Sequence, residues 1–275
     1  MFTALAVAAA LAAPVPKAGD PMVAWRLAKG DTFYLTYECE SLTEPIGLGL
    51  VPSSASAGRL VAKMNVTAAG DKGVSLEMEV VEFATGRDPF KKNPEKLSDH
   101  PKAVGKKAAF TLDRALAVVR VESDKELATA DGGFGSGLLA DASLQSLVSD
   151  LTLALPNKRL AKGDTWEGAS EYPLGGYATA ALTARGTVTA AADGRVTLSV
   201  ECDRRTTGKG PAVLDETSEK GKRTVEFDPK AGRLRKLTDE YTSEGVRGFD
   251  DRKFTVKTKT LSSVTVTDDK PKGAK

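Results

Sequence analysis

Polar and apolar residues alternate along much of this chain. Between Thr32 and Glu40, Phe33, Leu35, Tyr37 and Cys39 share one parity, and Thr32, Tyr34, Thr36, Glu38 and Glu40 share the other. A two-residue period puts these sets on opposite faces of a strand, one buried and one wet. The signature recurs at Val74, Leu76, Met78 and Val80, and again at Val196, Leu198, Val200 and Cys202. It returns at Val225 and Phe227, and at Phe254, Val256, Thr258 and Thr260, with Thr255, Lys257 and Lys259 opposite. Gly-Asp, Asp-Gly, Asp-Pro and Lys-Gly pairs separate the runs and supply turn chemistry. The pattern predicts an antiparallel meander with polar outer faces.

A helical period occurs in one region. Leu144, Leu147, Val148, Leu151 and Leu155 fall on one helical face, with Asp141 as the expected N-cap and Pro156 as the stop. A shorter helix is expected from Ser123 to about Thr129, because Ser123 and Glu126 have capping-box spacing. The stretches Glu44–Gly58, Gly86–Gly105 and Thr206–Lys222 read as irregular. The tail after Val266 is charged and reads as disordered.

The chain also repeats itself. "LAKGDTF" from Leu27 returns as "LAKGDTW" from Leu160, each with an Arg just before it, Arg26 and Arg159. "GDKGVSLEMEV" from Gly70 resembles "ADGRVTLSVEC" from Ala192, and "KKAAFTLDRAL" from Lys106 resembles "GKRTVEFDPKAGRL" from Gly221. The matches keep their order, with offsets of 133 residues (27 to 160), 122 (71 to 193) and 115 (113 to 228). Loops of unequal length produce such drift, so a duplication is expected. Gly30 and Gly163 are expected at positive φ in a turn. Asp31 and Asp164 should accept a backbone hydrogen bond, and Phe33 or Trp166 should then start a strand on its core side.

The predicted fold is therefore β-rich α+β. Two duplicated antiparallel halves form a curved sheet or partial barrel, and a short helical segment packs on the concave face. The expected organisation is a signal peptide at 1–12, a first β half at 22–122, a helical linker at 123–155, a second β half at 156–267 and a disordered tail at 268–275. The signal peptide rests on the uncharged run from Phe2 to Ala13 and the A-x-A site at Ala10-Leu11-Ala12. That run is too short to span a bilayer, and no later segment reads as a transmembrane helix. The expected location is periplasmic or extracellular.

The 275 residues are 41% hydrophobic and 28% charged, with a net charge of +2, an ordinary globular composition that gives no reason to expect nucleic acid as a partner. One His and two Cys leave little for a zinc site, and no other metal or cofactor is implied. His100 follows Ser98 and Asp99, but adjacent residues do not form a catalytic triad, so it reads as an exposed loop residue. "GGFGSG" (132–137) lacks the Lys-Ser/Thr of a phosphate loop and reads as a hinge. Asp239-Glu240 and Asp250-Asp251 read as solvated turns. Cys39 and Cys202 lie on apolar strand faces and read as free buried thiols, with a cross-half disulfide as the alternative. No catalytic residue is assigned, and the chain is not expected to be an enzyme; a carboxylate-only active site is the enzymatic alternative.

"W-R-L-A-K-G-D-T-F-Y", a central "F-T-L-D…V-V-R-V-E", a helical linker and "L-P-N-K-R-L-A-K-G-D-T-W" together resemble a family of secreted bacterial proteins known as a domain of unknown function. The resemblance spans about Trp25 to Val266 and implies no activity or catalytic residues. A looser architectural likeness is to periplasmic lipoprotein and lipid carriers. The function expected from these readings is non-catalytic binding or transport of an apolar small molecule or lipid. The candidate lining is Phe33, Leu35, Tyr37, Trp166, Phe134, Leu144, Leu147, Val148 and Leu151. The alternative is a cell-envelope interaction or assembly module with a protein partner.

Overall fold

The computed structural model describes residues 20–46, 53–87, 97–127, 138–153, 155–174, 178–208, 216–249 and 252–272. The first half carries β1 (Met22–Val23), β2 (Thr32–Ile46), β3 (Ser54–Gly70), β4 (Gly73–Arg87), β5 (Ser98–Asp99), β6 (Lys107–Leu112) and β7 (Val118–Ser123). After helix α1 (Asp141–Leu153) come β8 (Lys158–Arg159), β9 (Thr165–Leu174), β10 (Ala178–Ala192), β11 (Arg195–Gly208), β12 (Glu216–Asp228), β13 (Arg233–Phe249) and β14 (Arg252–Thr267). Among the described residues, twelve strands form one antiparallel sheet in the order β7-β6-β4-β3-β2-β14-β13-β12-β11-β10-β9, with β5 beside β4. The halves meet where β2 pairs with β14, so the sheet is continuous. It does not close: β7 and β9 are unpaired edges that curl close to one another, and α1 packs against both. This is the β-rich α+β architecture predicted by the alternation.

The helix accounts for the open seam. An edge strand leaves backbone groups without a ladder partner. On β7, the Gln145 amide donates to the Val118 carbonyl at 3.1 Å, and next to that strand the Thr152 hydroxyl donates to the Leu116 carbonyl at 2.7 Å. One apolar stripe is not enough for a helix in a concavity. Leu144, Val148 and Leu151 are buried, but so are Gln145, Ser149 and Thr152. The first helical bond runs from the Leu144 amide to the Ala140 carbonyl. Asp141 is therefore the first helical residue rather than the cap, and its carboxylate suits the positive helix end.

The N-terminal segment closes one end of the concavity. β1 pairs with β8, and the Arg26 amide donates to the Gly232 carbonyl in the β12–β13 turn. The Trp25 indole donates to the Leu151 carbonyl at 3.0 Å, next to the helix end, and its ring packs on Phe33.

The two "KGDT" phrases have matching geometry. Gly30 and Gly163 have φ of +94° and +92°. Asp31 accepts from the Ala28 amide at 2.9 Å, and Asp164 accepts from the Ala161 amide at 2.8 Å. The Gly30 amide bonds to Val66 and the Gly163 amide to Val188, each beside a register shift in its strand.

The outer face is charged. Glu167, Arg185, Glu201, Lys222 and Glu240 lie opposite one another across five strands with alternating sign, and Glu240 pairs with Lys259 at 2.8 Å.

Several expectations are corrected. Ser123 ends β7 and Asp124 exchanges hydrogen bonds with Lys107; the chain enters a 3-10 turn at Leu127, and 128 and 129 lie outside the described residues. Thr206–Gly208 and Glu216–Lys222 are strand, where β11 and β12 extend their pairing to Thr207 and Glu216. Asp268, expected in a disordered tail, accepts from Arg233 and Arg235. His100 is half-buried at the end of the β4 hairpin, with Nε2 2.6 Å from the Thr85 hydroxyl and its ring against Phe83.

Candidate functional site

Register divides the concave face into layers. Toward the closed end, Phe33 faces Met64 and Met78, and Leu35 faces Ala62 and Val80. The next layer joins Leu198, Val225, Leu237, Val264 and Tyr37. One step further the chemistry changes: Val200, Arg223, Asp239, Ser262 and Cys39 form a row. Beyond it lie Cys202, Gly221, Tyr241, Thr260 and Ser41, then Arg204, Glu219, Ser243, Thr258 and Thr43. The concavity is thus apolar at one end and rich in hydroxyl and ionic groups at the other. Ser41 bonds to Thr260 at 2.9 Å, and Thr43 to Thr258 at 3.2 Å.

Helix α1 contributes Asp150 to the ionic layers. Both of its carboxylate oxygens accept from one terminal nitrogen of Arg204, Nη2, at 2.7 Å. Arg204 also donates to Ser146 at 3.0 Å and lies 3.5 Å from Glu219. Arg223 donates to Asp239 at 2.7 Å and to the Asp150 backbone carbonyl at 3.3 Å. Asp239 Oδ1 is buried without a hydrogen-bond partner. Three carboxylates and two guanidinium groups therefore share one interior cluster.

Burial governs how these groups titrate. It pushes the carboxyls of Glu219 and Asp239 above their ordinary range, against the opposing pull of Arg204 and Arg223 respectively. Burial acts against the Arg204 charge, but Asp150, Tyr172 and Glu219 outweigh it and raise the pKa further. Tyr241 is pushed up to about 12 by burial and Glu219, and burial also raises Tyr37 and the Cys39 and Cys202 thiols. The two cysteines are free and lie four strands apart, as the thiol reading expects.

Two adjoining cavities open between α1 and these layers. One, of about 260 Å³, is bounded by Tyr37, Leu147, Leu151, Asp150, Asp239 and Tyr241, among others. The other, of about 320 Å³, reaches Glu219, Thr217 and Thr258. They share Ser143, Ser146 and Arg204. A wider depression of about 950 Å³ lies over the outer strands at Glu167, Arg185, Glu201 and Lys222. Its charges lie opposite partners of the other sign, so the concave cavities, which hold an unsatisfied carboxylate oxygen, are the better site.

The expected lining is only partly assembled there. Tyr37, Leu147 and Leu151 border the 260 Å³ cavity. Phe33, Leu35, Leu144, Val148 and Trp166 are packed into the core instead, and Trp166 covers Gly186. Phe134 lies outside the described residues. The sequence reading missed Asp150, Arg204, Glu219, Arg223, Asp239 and Tyr241. Asp239 is not in a solvated turn: it faces inward from the middle of β13, and only Glu240 faces out. Asp250 and Asp251 lie outside the described residues. The missed signal was parity. Cys202 is followed on its own face by Arg204, and Val225 is preceded on its face by Arg223.

No protein-family model and no curated protein matches the chain. Among solved structures, the chain is similar to lipovitellin, in a structure concerned with its lipid–protein interactions, at a TM-score of 0.51 and 8% identity. The match covers 90% of this chain but only 26% of lipovitellin, and at that identity the likeness is one of fold alone. An outer-membrane channel from Pseudomonas putida F1 matches at a TM-score of 0.27 with 10% identity, covering 92% of this chain and 100% of the channel. A porin from Rhodopseudomonas blastica matches at 0.22 with 10% identity, covering 86% and 99%. These two scores are too low to define a shared fold.

Proposed function

We propose that this chain is a non-catalytic, exported protein that carries a lipid-like amphiphile in its concavity. The observation that carries the reading is the layering: apolar residues end where hydroxyl and ionic residues begin, and the cavities under α1 lie across that boundary. Leu138, Leu147, Leu151, Leu237 and Val264 offer an apolar wall to a chain, and the polar layers offer partners to its head. The likeness to lipovitellin, a protein studied for lipid–protein interactions, supports the reading at the level of architecture. The apolar small molecule or lipid expected from the sequence is narrowed to an amphiphile, because Ser, Thr, Asp and Arg side chains share the lining with Leu and Val.

Export is proposed from the N-terminal apolar run, and membership of the secreted bacterial family from its motifs. The matched turn geometry at Gly30 and Gly163 supports descent of the two halves from a duplication. No residue is assigned a catalytic role.

Native mass spectrometry of protein purified without detergent tests the carrier reading. The expected result is a species carrying one amphiphile, released by organic extraction and depleted in Leu147→Trp, which fills the cavity. Protein that carries no lipid and takes up no added amphiphile overturns the reading.

A further inference from the structure

We propose, building on the carrier reading, that the polar end of the concavity selects a cationic head group of the quaternary-ammonium kind. Asp150 and Asp239 border the 260 Å³ cavity and Glu219 borders its neighbour, while Arg204 is the one described guanidinium that lines them. Arg223 pairs with Asp239 but lines neither cavity.

Arg204 keeps only its buried Nε without a hydrogen-bond partner. Its two terminal nitrogens are engaged by Asp150, Ser146 and Glu219. An anionic head placed beside it also meets three carboxylates at close range, in an interior where charges are weakly screened. A cation meets the reverse situation. Asp239 is 8% exposed, borders the cavity, and keeps Oδ1 free of any hydrogen bond. That oxygen is an acceptor without a donor, and a buried acceptor left in this state is costly. The cluster of Asp150, Asp239, Glu219, Arg204 and Arg223 also carries one more negative than positive charge when all five are ionised. A bound cation supplies the missing positive charge, and a quaternary head meets Oδ1 by charge alone, since it has no N–H to donate.

The rings point the same way. Tyr37 and Tyr241 border the same cavity, and aromatic faces attract an ammonium group most strongly where water is excluded. A quaternary ammonium needs no hydrogen-bond acceptors of fixed geometry, so hydroxyls already paired with each other, as Ser41 and Thr260 are, need not be broken apart.

Isothermal titration of the full chain with three octyl amphiphiles, each below its micelle concentration, tests the proposal. The heads are trimethylammonium, sulfate and glucoside, and far-UV circular dichroism confirms that the protein stays folded. The expected order places trimethylammonium at least tenfold tighter than sulfate and tighter than glucoside. Glu219→Gln and Tyr241→Leu should each weaken trimethylammonium at least threefold and leave glucoside unchanged. Equal or tighter binding of sulfate or glucoside overturns head-group selection but leaves the carrier reading standing, as does a variant effect shared equally by all three. Failure of all three to bind overturns both.

Discussion

Replacing Arg223 with Met exposes what the interior cluster costs and what holds it. The Arg223 side chain is 2% exposed and its partner Asp239 7%. In the wild type the pair is closed by one 2.7 Å bond, and Arg223 also anchors the helix through the Asp150 carbonyl. Met fills similar space but leaves Asp239 buried with neither oxygen partnered. Removing one member of a buried ion pair costs about 3–5 kcal/mol. For a chain of this size, about 2–4 °C of Tm accompanies each kcal/mol, so a drop of roughly 6–20 °C is expected. The loss should depend on pH. With its guanidinium gone, the Asp239 carboxyl rises further above its ordinary value, so the penalty is smallest where Asp239 is protonated and grows as pH rises through that value. Urea unfolding at pH 5 and pH 8, followed by the fluorescence of Trp25 and Trp166, reads both effects. The double variant Arg223→Met/Asp239→Leu removes both charges and should recover most of the loss. A single-variant loss under about 1 kcal/mol refutes the reasoning, as does a double variant no more stable than the single.

Two further predictions concern other elements. Glu219 has a folded pKa raised by burial, so its favourable linkage is complete below the unfolded value and is lost as pH rises through the folded one. The stability of Glu219→Gln relative to wild type should therefore climb as pH rises from about 4 to 8; urea midpoints that differ by a constant amount contradict this. A Cβ on Gly186 would lie 2.0 Å from Trp166, whereas one on Gly168 meets nothing within 4 Å. Gly186→Ala should cost about 1–3 kcal/mol and red-shift the Trp166 emission, with Gly168→Ala neutral by both measures; similar behaviour of the two disproves the close ring-to-backbone packing.

The strand faces and the turn devices were legible in the sequence, because both depend on local chemistry. Alternation assigns Phe33, Leu35 and Tyr37 to one side wherever the strand lies, and Gly30 followed by Asp31 demands the same turn in any context. The helix was also legible, from the spacing of Leu144, Val148 and Leu151, although Asp141, read as its cap, is its first residue. The hidden part was the site. Charged residues are ordinarily solvated, so Asp239 read as a turn residue and Arg204 and Arg223 drew no notice. Their parity agreed with Val200 and Val225, but parity says only that a side chain points inward. Whether it meets an apolar core or a partner of opposite charge depends on its height along the strand. Local sequence determined which face each residue takes. Tertiary structure alone decided the layer, because only the β11–β12–β13 register puts Val200, Arg223 and Asp239 in one row, and only the docked helix brings Asp150 to it.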